Sequence, residues 1–356
     1  MPVEQLDHVE SLLRRDPGRR GLAGYRSQRG YLAAGHYQQA VADLAQTATH
    51  VAIVTGFCIP VEHGWTAETD GPPGALFLAR ALLELGVRVR LLSDEYGRPL
   101  LEAGADNWRL PRSIIETIPF ESPEPDDSIR WQNGITPRTD AWVRRFLASD
   151  FGRKLSHLVA IERCGPSHTV FSWAAQQRSA DAVVESLFDL VPIESYNLCH
   201  NMRGEPIEGH TAKAHRLFEI VEEEGLPVRT IGVADGGNEI GVGAICFEDV
   251  LAALGQPERA KIICRIETNQ VLLAGVSNWG GYALALGVCH ARNQLAAARA
   301  WRADDLGRLM EVLVRDAAAV DGVSRRREAS VDGIPLADYL AYFNELRQAF
   351  GLDGKS

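Results

Sequence analysis

Several features that would assign a function directly are missing from this sequence of 356 residues. Its six cysteines form no C-x-x-C pair and no zinc-ligand spacing, so we expect reduced thiols, several of them buried. No long run of lysine or arginine occurs, and the net charge is -10 with a pI near 5.5. These properties argue against nucleic acid or an anionic membrane as the partner, and they favour a small-molecule ligand.

Targeting and membrane signals are missing as well. The N-terminus has no apolar signal region, and no apolar run approaches the length needed to span a bilayer. Four acids, Glu4, Asp7, Glu10 and Asp16, are interleaved with the first arginines, which argues against a transit peptide. We therefore expect a cytoplasmic protein.

Strand-like and helix-like patterns alternate along the chain, which is typical of an α/β fold. Predicted strands cover 51–54, 87–92, 157–161, 228–233, 262–266 and 271–276. We expect a doubly wound, mostly parallel sheet flanked by helices, with a C-terminal helical extension. Several prolines between 93 and 153 favour loops or a small excursion from the sheet in that region.

The chain divides into three predicted parts. Residues 1–50 are an N-terminal helical segment packed on the core, and residues 51–300 are an α/β catalytic domain. Residues 301–356 form the C-terminal helical extension.

Polar clusters follow the predicted strands. Strand 228–233 leads to the cluster 235–239, which consists of an acid, two glycines, an amide and a second acid. Similar clusters lie at 68–70, 162–163 and 277–280. Ligands of open parallel sheets bind at the carboxyl ends of strands, where glycines allow close approach of the backbone. A tight turn explains one such cluster equally well, but the repetition favours a ligand site.

Six ordered motifs resemble the D-glutamate cyclase family, in particular its C-terminal catalytic region. They lie at 55–57, 68–75, 161–163, 201–204, 235–239 and 276–282, with two further matches at 16–21 and 331–335. The resemblance covers nearly the whole chain and implies a lyase that converts D-glutamate to 5-oxo-D-proline and water. Two departures, an apparent insertion at 166–195 and His200 where the family has a tyrosine, leave the substrate open.

The implied reaction selects residue types. A base must remove a proton from the substrate ammonium group, and an acid with a raised pKa can do so. We assign catalytic roles to Glu162, Asp235 and Glu239, with Glu162 as the candidate base. Asp70, Asp235 and Glu239 form a predicted oxygen-rich site for Mg²⁺ or Mn²⁺, because hard divalent ions favour carboxylate oxygens.

The carboxylates of the substrate are best bound by arginine guanidinium groups, which can donate two hydrogen bonds, and by the N–H groups at a helix N-terminus. We assign Arg203 or Arg163 to one carboxylate and the helix start at Ser277, Asn278 and Gly280 to the other. The full set of predicted substrate-binding residues is Arg163, Asn201, Arg203, Gly236, Gly237, Asn238, Ser277, Asn278 and Gly280.

Structural alternatives exist for several of these residues. Glu162 and Arg163 can form a local ion pair, Asp70 can be a turn residue, and Asn278 can be a helix N-cap. Asp332 is predicted as a turn residue. A nucleotide-binding protein is an alternative function, although loop 71–74 lacks the Gly-Lys-Ser/Thr ending of a phosphate loop. A noncatalytic sensor of a small amino or hydroxy acid is another, and a homo-oligomer is compatible with the sequence.

Overall fold

A parallel sheet organises the fold. The structure is a computed structural model that describes residues 3–121, 136–176, 187 and 189–352. Its strands are β1 (Arg26–Ser27), β2 (Gly30–Tyr31), β3 (His50–Thr55), β4 (Cys58–Val61), β5 (Gly64–Ala67), β6 (Arg88–Ser93), β7 (Ile115–Thr117), β8 (His157–Ile161), β9 (Arg229–Ala234) and β10 (Gln270–Leu273). Six of them form one sheet in the order β10-β9-β8-β3-β6-β7, with every neighbouring pair parallel. The other four form two short antiparallel hairpins.

The strand order confirms the predicted doubly wound sheet. The chain first moves from β3 to β6 and β7, and then returns to the other side of β3 with β8, β9 and β10. The direction of winding therefore reverses between β3 and β8. In such sheets this reversal opens a crevice at the carboxyl ends of the two strands, which is where ligands bind.

Helices cover both faces of the sheet. The α-helices are Val3–Leu13, His36–Thr47, Pro72–Glu84, Arg98–Trp108, Pro137–Ala148, Val170–Gln176, His215–Glu223, Phe247–Leu254, Ser277–Ala291, Leu295–Ala298, Ala303–Asp316 and Leu336–Ala349. Short 3₁₀ helices lie at Arg112–Ile114, Gly152–Lys154, Ile193–Ser195, Glu208–His210 and Pro257–Ile262. No helix in these described ranges is long and apolar enough to cross a membrane.

Alternating residues of each strand pack into different hydrophobic cores. Val51 and Ile53 of β3 join one core, while Ala52 and Val54 join the other. Successive side chains of a strand point to opposite faces, so the central strands are apolar throughout. The N-terminal segment and the C-terminal extension both contribute to the first core, where Leu12 and Phe343 are buried. The proposed division into three parts remains a prediction.

Two local predictions are wrong. Residues 262–266 do not form a strand, because their backbone groups bond to neighbouring loops: Cys264 N donates to Gly237 O at 2.9 Å. The prediction of loops between 93 and 153 is wrong for Arg98–Trp108 and Pro137–Ala148, since both helices carry proline in the first turn, where a missing N–H breaks no helical bond.

The predicted insertion at 166–195 is described only in part. Its first section contains the helix Val170–Gln176, whereas residues 177–186 and 188 lie outside the described residues.

Candidate active site

Glu162 occupies the switch point of the sheet. It follows β8 directly and has a φ of 47°, a left-handed conformation that is uncommon for residues other than glycine. Gly71 packs against it, because a Cβ at Gly71 would lie 2.7 Å from Glu162 Cβ. Strained backbone of this kind costs about 1–3 kcal/mol and clusters at functional sites. The strained backbone of Glu162 thus indicates that its carboxylate belongs to a functional site.

Three carboxylates meet at this point. Asp70, Glu162 and Asp235 each have an oxygen within 4.8 Å of the others, and their residues are 2%, 4% and 1% exposed. Asp70 follows the β4–β5 hairpin, Glu162 follows β8 and Asp235 follows β9. The predicted association of Asp70 with Asp235 is thus found, but Glu162 stands in this group where the sequence prediction had Glu239.

Asp70 and Asn278 cap two helices reciprocally. The Asp70 carboxylate accepts hydrogen bonds from Ser277 N at 2.9 Å and Asn278 N at 2.8 Å, at the start of helix Ser277–Ala291. In return, Asn278 Oδ1 accepts from Gly71 N at 3.0 Å and Gly74 N at 2.8 Å, at the start of helix Pro72–Glu84. Both helix N-termini therefore point at the acidic group, and each is capped by a side chain of the other segment.

The residues predicted to bind a carboxylate at this helix start have other partners. The N–H groups of Ser277 and Asn278 are bonded to Asp70, and Ser277 N also lies 3.3 Å from Asp235 Oδ2. Gly280 packs on β9, because a Cβ there would lie 2.3 Å from Val233 Cγ1. The Ser277 hydroxyl remains available, since its buried Oγ has no hydrogen-bond partner among the described residues.

Glu239 shapes the loop that carries Asp235. Its carboxylate accepts hydrogen bonds from Gly236 N at 2.9 Å and Gly237 N at 2.7 Å. Gly237 has a φ of 97°, which favours glycine. Glu239 thus binds its own loop and stands outside the group of three carboxylates.

Asn238 connects this loop with the segment around His200. Its side-chain N–H donates to the backbone oxygen of His200 at 2.7 Å, while Asn238 Oδ1 is buried without a hydrogen-bond partner in the described part of the chain. The segment 201–204 also contacts the loop, because a Cβ at Gly236 would lie 2.5 Å from Met202 Sδ. Asn201 itself closes a turn by accepting from Arg203 N and Glu205 N, each at 3.0 Å.

The two arginines assigned to a substrate carboxylate do not pair with the group of three carboxylates. Arg163 is fully buried, pairs with Asp94 at 2.7 Å, and donates to the backbone oxygens of Gly56 and Ala212. The alternative of a local Glu162–Arg163 ion pair is wrong, because Arg163 pairs with Asp94 instead. Arg203 is exposed and donates to Val323 O at 3.3 Å.

Arg20 is the cation that the sequence interpretation missed. Its guanidinium forms ion pairs with Asp235 and with Asp332. Asp16 holds the preceding turn, because its carboxylate accepts from Arg20 N at 3.0 Å and Gly21 N at 2.6 Å. The sequence did contain an indication of this role, because Arg20 lies in the motif 16–21 that resembles the family. No function was assigned to that motif. Asp332 does lie in a turn, as predicted, with a φ of 54°.

Burial makes the acids of this site unusually basic. The pKa of Asp70 is raised to about 8, by burial first and then by the charge of Asp332, against the N–H donors of Asn278. Burial, followed by the negative charges of Glu239 and Asp70, raises the pKa of Glu162 well above its ordinary value. The pKa of the buried Glu68 is raised for the same main reason. Protons or a bound cation relieve this accumulation of charge.

The same buried acids stabilise the positive charge of Arg20. Burial acts to lower the pKa of Arg20, but attraction by Asp332, then Glu162 and Asp70, raises it above the ordinary value. Arg20 is therefore always charged at physiological pH.

The group of three carboxylates can hold a hard divalent cation. All of its donors are oxygens, and Glu162 Oε2 is buried without a hydrogen-bond partner among the described residues. Carboxylate oxygens are the preferred ligands of Mg²⁺ and Mn²⁺, and a buried unpaired oxygen otherwise carries a desolvation cost. The residues present thus fit such an ion, and they do not by themselves select one metal.

The fold and the site define a doubly wound α/β protein with a buried acidic ligand site at its switch point. The family model described as "D-glutamate cyclase-like, C-terminal" matches residues 9–195 and 194–347, so the chain belongs to that family. The mitochondrial D-glutamate cyclase of Homo sapiens is 28% identical to the chain over 289 residues. That alignment covers 79% of this chain and 38% of the human protein, so the chain corresponds to less than half of that relative's length.

Proposed function

We propose that the protein is a D-glutamate cyclase-like enzyme, a carbon-oxygen lyase that converts D-glutamate to 5-oxo-D-proline and water. The observation that carries the proposal is the buried group of Asp70, Glu162 and Asp235 at the switch point of the sheet. Membership of the family and the name of the human relative support the choice of reaction.

A divalent cation is part of the proposal. Asp70 and Asp235 would hold Mg²⁺ or Mn²⁺, with Glu162 beside them. When bound, the ion would supply a Lewis acid that draws electron density from the γ-carboxyl group of the substrate. The two aspartates are oriented in advance, because Asp70 accepts two N–H groups of the helix start and Asp235 Oδ2 also accepts from Ser277 N.

Ring closure forms a bond between the α-nitrogen and the γ-carbon and breaks one γ-carbon–oxygen bond. The ammonium group loses two protons, and the departing oxygen gains two and leaves as water. We assign the transfer of these protons to Glu162, because its Oε2 has no hydrogen-bond partner in the described structure and its pKa is raised. Glu239 assists indirectly, since its charge contributes to that raised pKa and its carboxylate positions the loop of Asp235.

Two other unpartnered oxygens can orient the substrate. Ser277 Oγ and Asn238 Oδ1 are both buried with no hydrogen-bond partner in the described ranges. We propose that they contact polar groups of the substrate, whereas the N–H groups of Ser277 and Asn278 serve to hold Asp70. The roles assigned to Asn201, Arg203, Gly236, Gly237 and Gly280 remain predictions.

The test of function uses metal-stripped protein with D-glutamate or L-glutamate, with and without Mn²⁺ or Mg²⁺. The product, 5-oxoproline, is resolved by chiral chromatography. We expect metal-dependent formation of 5-oxo-D-proline from the D-isomer alone. Formation without added metal would remove the cation from the proposal, and absence of product from either isomer would reject the reaction.

Two variants separate the proposed roles within the site. Glu162→Gln should abolish turnover and retain Mn²⁺ binding, because it removes the proton acceptor and leaves both aspartates. Asp235→Asn should lose both turnover and Mn²⁺ binding. The matched control is Glu62→Gln, an exposed residue of the β4–β5 connection. Equal Mn²⁺ affinity in Asp235→Asn and the unaltered protein would reject the assignment of the ligands.

No observation favours the alternative of a nucleotide site. The N–H groups of Gly71 and Gly74, which a phosphate would need, are bonded to Asn278 Oδ1. The buried acids would also repel phosphate. A cytoplasmic location and a homo-oligomer remain predictions, and the word mitochondrial belongs to the name of the human relative.

A further inference from the structure

A dicarboxylate substrate needs positive groups to receive it, and few are available at this site. In the part of the chain that the structure describes, Arg20 is the cation that ion-pairs with Asp235 of the acidic group. Arg163 is bonded to Asp94 and two backbone oxygens, and Arg203 is exposed and donates to Val323 O. Neither of these two arginines pairs with the carboxylates around Glu162.

The helix start is not free to receive an anion. Asp70 already takes the N–H groups of Ser277 and Asn278, and Asn278 takes those of Gly71 and Gly74. An incoming carboxylate would have to displace these buried side chains. Arg20 is therefore the group with the charge and the position to meet it.

Arg20 is built into the site and still reaches solvent. Its side chain is 15% exposed, against 0% for Asp235 and 2% for Asp332. Two nitrogens of its guanidinium bind two different aspartates, Nη1 to Asp235 and Nη2 to Asp332. Loss of one partner therefore leaves Arg20 anchored by the other, with one nitrogen free.

We propose that Arg20 binds a carboxylate of the substrate and is released for this task by the divalent cation. Without the ion, Arg20 neutralises Asp235. With a cation held by Asp70 and Asp235, beside Glu162, repulsion between the two positive charges and competition for Asp235 would free Nη1, while Asp332 would retain Nη2. Arg20 thereby selects substrates that carry a carboxylate beside the reacting centre. The inference rests on the proposed function and adds the residue that determines specificity.

The test compares Arg20→Gln, Arg20→Lys and the control Arg19→Gln, which alters the exposed neighbouring arginine. Mn²⁺ binding is measured by calorimetric titration without substrate. We expect Arg20→Gln to bind Mn²⁺ about tenfold more tightly, because a repelling and competing charge is gone. Arg20→Lys keeps that charge and should match the unaltered protein within about a factor of three.

Turnover of D-glutamate supplies the second readout. Both Arg20 variants should raise KM at least about tenfold with a smaller change in kcat, because lysine cannot replace the two-pronged guanidinium. Unchanged KM in Arg20→Lys and Arg20→Gln would overturn carboxylate binding. Unchanged or weaker Mn²⁺ binding in Arg20→Gln would overturn the exchange and indicate a structural ion pair.

The proposed function can fail separately from this inference. If the unaltered protein does not convert D-glutamate, the reaction is rejected, and the Mn²⁺ titration still decides whether Arg20 and the cation compete for Asp235. If Arg20→Gln does not fold, the KM of Arg20→Lys still tests carboxylate binding, since lysine retains the charge that balances Asp332.

Discussion

Replacement of Gly281 by alanine should separate the two helices that carry the acidic site. Helices Pro72–Glu84 and Ser277–Ala291 touch through glycines, and a Cβ at Gly281 would lie 2.8 Å from the Cα, C and O atoms of Gly74. These are backbone atoms, which cannot rotate away. Overpacking of this kind costs up to about 3 kcal/mol, and the better helix propensity of alanine returns about 1 kcal/mol. We expect Gly281→Ala to be destabilised by about 2 kcal/mol.

Thermal unfolding of metal-stripped protein measures this effect. For a chain of this size 1 kcal/mol corresponds to about 2 °C, so the melting temperature should fall by about 4 °C. Gly307→Ala is the matched control, because its Cβ would meet only the end of the Leu340 side chain at 3.2 Å. This control should melt at the same temperature as the unaltered protein or slightly above it.

The same substitution should weaken Mn²⁺ binding. Asp70 and Asn278 stand at the starts of the two helices, so a shift between the helices displaces the cap and the carboxylate together. We expect Gly281→Ala to bind Mn²⁺ at least about fivefold more weakly, and Gly307→Ala to bind it normally. A Gly281→Ala protein with unchanged melting temperature and unchanged Mn²⁺ affinity would refute the close helix contact and its role in the site.

Three further predictions concern the site and its pH dependence. Asn278→Ala should lower the melting temperature by a few degrees, since it leaves the buried Gly74 N–H of helix Pro72–Glu84 without its acceptor at about 1–3 kcal/mol, while Gly71 N keeps Asp70 Oδ1; unchanged melting would contradict the cap. Thermal stabilisation by Mn²⁺ should be larger at pH 8 than at pH 6, because the proton that the raised pKa of about 8 keeps on Asp70 competes with the ion, and an equal shift at both pH values would argue against Asp70 as a ligand. Burial lowers the pKa of His157 to about 4, of His168 to about 3 and of His200 to about 4, so at these rings the unfolded chain binds more protons below its pKa of 6.5, whereas the buried acids with raised pKa act in the opposite sense. Removal of one ring isolates its contribution, so the denaturant midpoint of His168→Gln should rise relative to that of the unaltered protein as the pH falls from 6.5 to 4. A difference that stays constant over that range would show that the His168 ring is not buried in the neutral form.

Topology explains why the location of the site was predictable. The strands are short apolar runs that end at polar residues, and all parallel strands of a doubly wound sheet bring their carboxyl ends to one edge. Asp70 and Asp235 were therefore expected to meet although 165 positions separate them in the sequence, and the structure brings them together. The helix Ser277–Ala291 was expected from the same reasoning, since it begins directly after the last strand.

Partners within the site were less predictable, because sequence spacing does not fix side-chain direction. Glu162 and Arg163 are neighbours after one strand, yet Glu162 joins Asp70 and Asp235 whereas Arg163 pairs with Asp94. The carboxylate group contains Glu162 where Glu239 was predicted, again because the direction of a side chain does not follow from its position in the sequence. Glu239 lies close enough to its own loop to bind Gly236 and Gly237, a local bond that competes with any ligand role.

Arg20 and Asp332 were outside the reach of strand-end reasoning, because neither follows a strand of the central sheet. Both come from turns near opposite ends of the chain, and Thr69 ties the C-terminal turn to the site through Ser330 O at 2.6 Å. The site also departs from the usual preferences of residues. Acidic side chains are buried there, and Glu162 has a left-handed backbone conformation. Such violations are expected where function requires them.

The balance of charge gives these violations a common cause. Glu68, Asp70, Glu162, Asp235 and Asp332 are all buried, and Arg20 balances only one of their five possible charges. Burial and the neighbouring negative charges raise the pKa of Asp70 and Glu162, so without another cation these acids retain protons. Each proton held is one that the site can release when an ion enters, and an ionised carboxylate of raised pKa can then accept a proton from the substrate ammonium group. A site organised around one arginine and an excess of buried acids is therefore suited both to bind a divalent cation and to accept protons from an ammonium group.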